Sequence, residues 1–259
     1  MPQQDVYAQA IAALMPDGTP PVWSLIVTVF GDVAGDRAVE LGAAPLARIL
    51  APAGVSGSAL RVAMHRLKTD GWVLARRAGR SSFYRLNPDR LATVSAASKR
   101  IYATGSLPPD AWRVRILGPD AQDHPPTRGE AIMLGPRIAM FGADGDIAPG
   151  ALELFGDADV PQWVRSKVCP PDLMDAYQVL HASLATVERL LRGHAPDLTV
   201  ESVALRMLVV HAWRRIILRH PALPDGVFPS SWPGSDCRQR VGALLSKLPR
   251  PTASQLAEL

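Results

Sequence analysis

Ser58, Arg61, His65 and Lys68 follow one another at three- and four-residue steps, so on an α-helix they fall close to one face. Arg, His and a short hydroxyl on an exposed helix face match the edges of a DNA major groove, where Arg pairs with guanine O6 and N7. His65 fits two roles equally, a base contact or a half-buried scaffold residue. Arg66 and Lys68 sit nearer the backbone of such a duplex, and Arg66 can instead bond a helix C-terminus within its own domain. Ser56 or Ser58 can cap the helix by accepting a backbone N–H bond, and Gly71 ends it without steric cost. The opposite face carries Leu60, Ala63, Met64 and Leu67, an apolar stripe at i, i+3, i+4 and i+7.

Downstream, WVLARRAGRSSFYRL reads as two strands, Val73–Arg77 and Ser81–Leu86, joined by a three-residue connection Ala78-Gly79-Arg80. Arg76, Arg77 and Arg80 lie on or beside this hairpin. A basic hairpin after a basic helix is a wing, and its arginines suit phosphates, which add affinity without reading sequence. Charge placement agrees. Residues 1–104 carry 12 Lys/Arg against 7 Asp/Glu, and residues 61–100 carry 10 against 2. The whole chain has a net charge of only +4, so one end of the protein is expected to meet a polyanion.

The elements that must hold this helix are legible before it. Residues 1–20 read as an N-terminal arm with a short helix at Val6–Leu14. Pro21 opens a helix whose Trp23, Ile26, Val27 and Phe30 face inward and which ends at Gly31. Residues 31–43 read as a loop, and Pro45 starts a second helix with Leu46, Ile49 and Leu50 inside. Pro52-Ala-Gly54 gives the tight turn of a helix-turn-helix. After the wing, a basic helix covers Pro88–Tyr102, and GSLPPDA reads as a linker.

The middle reads as a strand at WRVRILG, a short helix at Arg128–Leu134, and strands at PRIAMFG and ALELFG, with HPP and GADGDIAPG interrupting. Beyond it, Leu173, Ala176, Tyr177, Leu180, Leu184, Val187 and Leu191 make Pro171–Arg192 one amphipathic helix. A second helix runs from about Val200 to His220, and a last one covers Asp236–Leu248, with a fraying C-terminus.

Catalytic signatures are sparse. The six histidines form no HExxH pair, no Gly-x-Ser-x-Gly elbow occurs, and Asp144 and Asp146 read as a turn. Cys169 and Cys237 form no CxxC, so no zinc site or disulfide framework is expected. The N-terminus carries an acid and no Lys or Arg, unlike a secretory signal, and no apolar run nears the ~20 residues that cross a bilayer. The expectation is a cytoplasmic protein with no membrane partner, no metal, no cofactor and no enzymatic activity.

FGDV, LRVAMHRLKTDGWV, GRSSFYRL and Arg100-Ile-Tyr102 resemble the PaaX family, repressors of phenylacetic acid degradation. The likeness resumes in HAWRRIILRHPALPDGVFPSSWPG, residues 211–234. The resemblance implies an α+β chain in three parts: a winged helix-turn-helix over 21–104, a small ferredoxin-like dimerisation domain over 110–165, and a helical effector-sensing domain over 171–250. It implies a homodimer on double-stranded operator DNA, released by an acyl-CoA, usually phenylacetyl-CoA. His211, Arg214, Arg215 and Trp232 are the motif positions that match. With Trp213 and Arg219 they form a basic cluster beside aromatics, suited to phosphates and an aromatic acyl group. The alternative is that these arginines pin the domain by pairing with Asp225 or Asp236. Two other readings of the chain stand beside the repressor: a nucleic-acid-processing enzyme using Asp144 and Asp146, and a winged-helix regulator without a small-molecule ligand.

Overall fold

In the computed structural model, residues 3–34, 39–103, 111–118, 129–142, 150–157 and 159–259 are described. Packing divides the chain into two compact units: Met1–Tyr102 with Ala182–Trp213 and Arg240–Leu259, and Ala103–His181 with Arg214–Gln239. The winged-helix stretch and part of the C-terminal stretch read from sequence therefore share the first unit, while the rest of the C-terminal stretch belongs to the second.

In that unit α1 (Gln3–Ala13) buries Val6, Tyr7, Ala10 and Ile11. Helix α2 (Val22–Ala34) buries Leu25, Ile26, Val27, Val29 and Phe30 and packs on α4 (Gly57–Thr69). Two expectations for α2 need correction. Trp23, expected inside, is 39% exposed. The helix also passes Gly31 and ends at Ala34. A helical glycine costs only about 1 kcal/mol, and the turn beyond it carries Asp32, a buried carboxylate.

Asp32 is bonded by three other residues of the first unit. It accepts from Arg206 Nε (2.8 Å) and Nη2 (3.1 Å) and from the Tyr102 hydroxyl (2.7 Å). Its own carbonyl accepts from Arg250 Nε at 2.7 Å. Arg206, on α8 (Val200–Ile217), also donates through Nη1 to the carbonyls of Leu245 and Leu248 at 2.9 and 3.0 Å. Burial and the neighbouring carboxylate hold the Tyr102 hydroxyl far above its ordinary range. Nearby, Trp213 Nε1 donates to the Ile101 carbonyl (3.0 Å), and Thr28 Oγ1 meets His211 Nδ1 at 3.2 Å. These bonds tie α2 and the end of α5 (Pro88–Ile101) to α8 and to the chain after α9 (Gly234–Lys247).

The segment 31–43, expected as a loop, contains β1 (Leu41–Gly42). It pairs antiparallel with β3 (Ser81–Leu86) as Leu41↔Tyr84 and Gly42↔Phe83. Strand β3 pairs in turn with β2 (Val73–Ala78). Helix α3 (Ala43–Leu50) begins two residues before Pro45, which its first turn tolerates because no N–H partner is lost there. The C-terminus does not fray. Helix α10 (Ala253–Glu258) is held by a Thr252–Gln255 capping box, by buried Leu256 and by Arg48, which donates to the Ala257 carbonyl at 3.0 Å.

The second unit holds a four-stranded sheet of β4 (Trp112–Leu117), β5 (Ile132–Gly135), β6 (Ile138–Gly142) and β7 (Ala151–Gly156). Its order is β5-β6-β4-β7 with every neighbouring pair antiparallel. That is the order a split βαβ, ferredoxin-like connection gives. The helix expected at Arg128–Leu134 is replaced, at its described end, by β5, because Ile132 and Met133 pair with Met140 and Ala139 across a tight hairpin. Arg113, Arg115 and Glu153 share one face, and Arg115 Nε donates to Glu153 at 2.5 Å. Phe141 lies 5.1 and 4.6 Å from the two guanidiniums. On the other face Leu152 and Leu154 are 57% and 47% exposed.

The rest of this unit is α6 (Gln162–Val168), the first half of α7 (Pro171–Leu190), and an aromatic core. Trp232 stacks on Phe228 (3.9 Å, 12°) and meets Tyr177 edge-on at 5.2 Å. The Tyr177 hydroxyl bonds His220 Nε2 at 2.7 Å, and His220 Nδ1 donates to the Pro221 carbonyl at 2.7 Å.

Removing one partner of a buried ion pair strands the other in a low-dielectric interior. Arg206→Ala is expected to lower stability by about 3–5 kcal/mol, read as a shift of the urea unfolding midpoint. An unchanged midpoint would show that Asp32 is held equally well by Tyr102 and Arg250.

Candidate nucleic-acid interface

Helix α4 is built as its sequence pattern requires. Leu60, Ala63, Met64 and Leu67 are buried, and Ser56 is the N-cap, its Oγ accepting from Ala59 N at 3.2 Å. Ser58 Oγ lies 2.9 Å from Ser56 Oγ, within hydrogen-bond distance of the capping hydroxyl. Gly54 and Gly71 take φ of +79° and +68° at the turns before and after the helix, a region that favours glycine. The side chains of Ser58, Arg61, His65, Arg66 and Lys68 are all exposed. His65 is therefore no scaffold residue in this fold, and Arg66 pairs with Asp70 at 3.5 Å, one turn on.

The exposed face also carries Val62, 72% accessible and off the apolar stripe. Pattern reading passes over it because one exposed aliphatic residue is ordinary. Its place beside Arg61 gives the surface an apolar contact point of the kind a thymine methyl accepts.

The wing is a two-residue hairpin, tighter than the three-residue connection read from sequence. Ala78 pairs with Ser81, leaving Gly79 and Arg80 at the tip, with Gly79 at φ +60°. Arg77 and Arg80 are exposed. Arg76 is exposed as well but engaged: Nε lies 3.2 Å from both Glu40 oxygens and Nη2 2.7 Å from Oε2. Its guanidinium sits 5.0 Å over the Phe83 ring. The Arg76 hydrogen bond holds the Glu40 carboxyl below its usual range, and Glu40 raises Arg76 in return. Between the wing and the end of α4 runs a groove of about 670 Å³ lined by Glu40, Lys68, Leu74, Arg76 and Arg85 among others. The surface presents an exposed basic helix beside a basic hairpin, and among the described lining residues of the groove Glu40 is the one carboxylate.

The six residues read as a ligand cluster are distributed between the two units. His211 and Trp213 are buried in the first, bonded to Thr28 and Ile101. Arg214, Arg215, Arg219 and Trp232 belong to the second. Burial lowers the Arg214 pKa, Arg215 is exposed, and Trp232 lies in the aromatic core. Asp225 pairs with Arg238, Asp236 with His181, and Arg219 with Asp172. Arg219 also borders a cleft of about 320 Å³. Ile132, Met133 and Leu173 form its apolar wall, and Lys167 adds a second cation that the sequence reading passed over. Both cysteines are buried and neither is in a disulfide; Cys237 Sγ donates to the Tyr177 carbonyl at 3.7 Å, and burial pushes the Cys169 thiol up to about 11. Among the described residues no three His, Cys, Asp or Glu side chains converge on a metal-sized site, and Asp144 and Asp146 lie outside those residues. No described helix is long and apolar enough to cross a membrane.

Comparison with known proteins gives matches at both ends of the chain. Residues 22–90 match the family described as PaaX-like protein, and residues 171–258 match the PaaX-like protein C-terminal domain. Together the two matches cover more than half of the sequence, and the four-stranded sheet lies between them. The chain is 25% identical to the transcriptional repressor PaaX of Escherichia coli (strain K12) over 274 aligned residues, spanning 92% of this chain and 83% of that protein. Among solved structures, uncharacterized protein Rv0674 from Mycobacterium tuberculosis is 18% identical, with a TM-score of 0.48 over 91% of this chain and 97% of that one.

The two serines at the head of α4 have separable roles. Ser56→Ala removes a cap and is expected to cost about 1 kcal/mol in chemical denaturation, whereas Ser58→Ala should leave the unfolding midpoint in place. Equal losses in both variants would contradict the cap assignment.

Proposed function

We infer that this chain, which belongs to the PaaX family, is a DNA-binding transcriptional repressor of phenylacetate catabolic genes. The observation that carries the reading is the fully exposed basic face of α4 beside a wing whose arginines face solvent. In this reading Arg61 reads guanine, Val62 meets a thymine methyl, and Ser58 and His65 complete the base contacts. Arg66, Lys68, Arg77 and Arg80 bind phosphates, which fix register without reading sequence. Ser56 serves chiefly by capping the helix. The activity is binding and release of a duplex, with no catalytic step.

The protein acts as a homodimer through the sheet of the second unit. Exposed Leu152 and Leu154 on edge strand β7 support this, because an apolar face on an edge strand favours pairing with a second copy. Two α4 helices would then enter successive major grooves about 34–36 Å apart on an inverted-repeat operator.

The effector is an acyl-CoA, phenylacetyl-CoA first among candidates. Support comes from the cleft beside Arg219, where Lys167 and Arg219 can meet anionic groups and Ile132, Met133 and Leu173 an aromatic acyl chain. Arg214, Arg215 and Trp232 come from the same unit. Switching a repressor from mostly bound to mostly released needs an effector that prefers the released state by about 10⁴-fold.

Arg61→Ala is expected to weaken binding to the operator by about five- to 150-fold, the loss of one bidentate base contact. Fluorescence anisotropy measures the loss, and the circular dichroism spectrum should be unchanged. Full-strength binding by the variant at physiological salt would remove α4 as the reader. Phenylacetyl-CoA is expected to release the wild-type protein from that duplex and to bind Arg219→Ala at least tenfold more weakly by titration calorimetry. Saturating thioester that neither binds nor releases would leave a repressor with a different effector.

A further inference from the structure

Glu40 and Arg76 are 36 residues apart, and the wing's own stretch is almost free of acids. Of the two carboxylates in residues 61–100, Asp70 is taken by Arg66, and Asp89 stands at the start of α5. Glu40 reaches the wing because β1, the residues next to it, pairs along β3. The contact it makes is directed. Three hydrogen bonds join the carboxylate to one edge of the guanidinium, and Phe83 lies against the guanidinium face. A carboxylate presenting two oxygens to an Arg edge has the geometry of a phosphate doing the same. Arg85 adds to the field at Glu40, and Lys68 lines the same groove.

We propose that Glu40 is an internal phosphate mimic that occupies Arg76 and so lowers the protein's affinity for duplexes of any sequence. The proposal rests on the DNA-binding reading above and adds a residue that works against it. Each phosphate neutralised by a protein cation releases counterions and adds about 0.9 to the slope of log K against log salt. Arg76 held by Glu40 contributes no net charge to that sum, while Arg77 and Arg80 do. The consequence is specificity. Sequence-independent affinity is set by free cations, so cancelling one of them leaves more of the total to the base contacts of α4. Glu40 is also well placed to be displaced. Its side chain is 34% and that of Arg76 55% exposed, and an ion pair so open to solvent is easily exchanged for a competing anion.

The test is binding of a random-sequence duplex by the full chain across a salt series. Glu40→Gln keeps the shape of residue 40, removes its charge and leaves one acceptor oxygen where there were two. It is expected to bind about three- to tenfold tighter than wild type at low salt, with a slope steeper by about one. Asp17→Asn makes the same charge change at an exposed turn of the same unit and should move neither quantity by as much. In an Arg76→Ala background, Glu40→Gln should lose its effect. Tightening that persists without Arg76 would mean bulk charge alone is responsible and would overturn the proposal. Unchanged or weaker binding by Glu40→Gln would overturn it too, leaving the DNA-binding reading intact. Failure of the wild type to bind any duplex would remove both together.

Discussion

One buried carboxylate sets the terms for the first unit. Asp32 sits in an apolar helix, 4% exposed, and isolated there it would be costly. It is tolerable because Arg206 meets both oxygens and Tyr102 donates to one of them. Arg206 is itself buried, and its remaining donors reach the carbonyls of Leu245 and Leu248. Every member of the cluster therefore depends on pieces of chain far apart in sequence. The helix-turn-helix is not free-standing for this reason. The helix that packs behind α4 owes its last turn to residues more than 170 positions later.

The dependence extends to the reading surface. Helix α2 packs against α4, so whatever fixes α2 also fixes the angle at which Arg61 and His65 stand out. Base contacts need placement within fractions of an ångström, and a tolerance that small is reached when supporting side chains are themselves locked. The Asp32 cluster, the Trp213–Ile101 bond and the Thr28–His211 contact supply that support from inside. On the exposed side of α4, side-chain contacts such as Ser58 with Ser56 and Arg66 with Asp70 are local. Helix α4 is thus packed on one side and open to solvent on the other.

Much of this was legible in the sequence, and the parts that were not share a cause. The apolar stripe of α4, its serine cap and the wing are local patterns whose signals lie within a few residues of one another. Strand β1 is two residues long and exists only because β3 offers it an edge, so no periodicity announces it, and Glu40 beside it stays hidden in a presumed loop. The continuation of α2 past Gly31 depends on Arg206, which no local pattern links to Asp32. Strand β5 shows the same limit: IMLG is too short to declare its period and takes it from Met140 and Ala139. The last helix is different. Thr252-Ala-Ser-Gln255 is a capping box visible in the sequence, and only the habit of letting termini fray obscures it.

The basic, aromatic stretch around residue 211 shows why adjacency in sequence is a poor guide on a mostly buried helix. Helix α8 is apolar almost all round, with Val203, Ala204, Leu205, Met207, Leu208, Val209 and Val210 all buried, so no side is reserved for polar groups. Each polar residue on it must find its own partner wherever its direction leads. Arg206 and Trp213, seven apart, share a face; Arg206 bonds Asp32 and Trp213 the Ile101 carbonyl. His211 points away from that pair and meets Thr28. Arg219 lies past the helix end and turns to Asp172 and the cleft. A run that looks like one cationic cluster in the sequence is divided by helical geometry into residues buried in the fold and residues nearer the surface. The division follows from burial: a cation enclosed on all sides needs a fixed partner to be stable there, whereas one at a cleft rim can exchange its partner for an incoming anion.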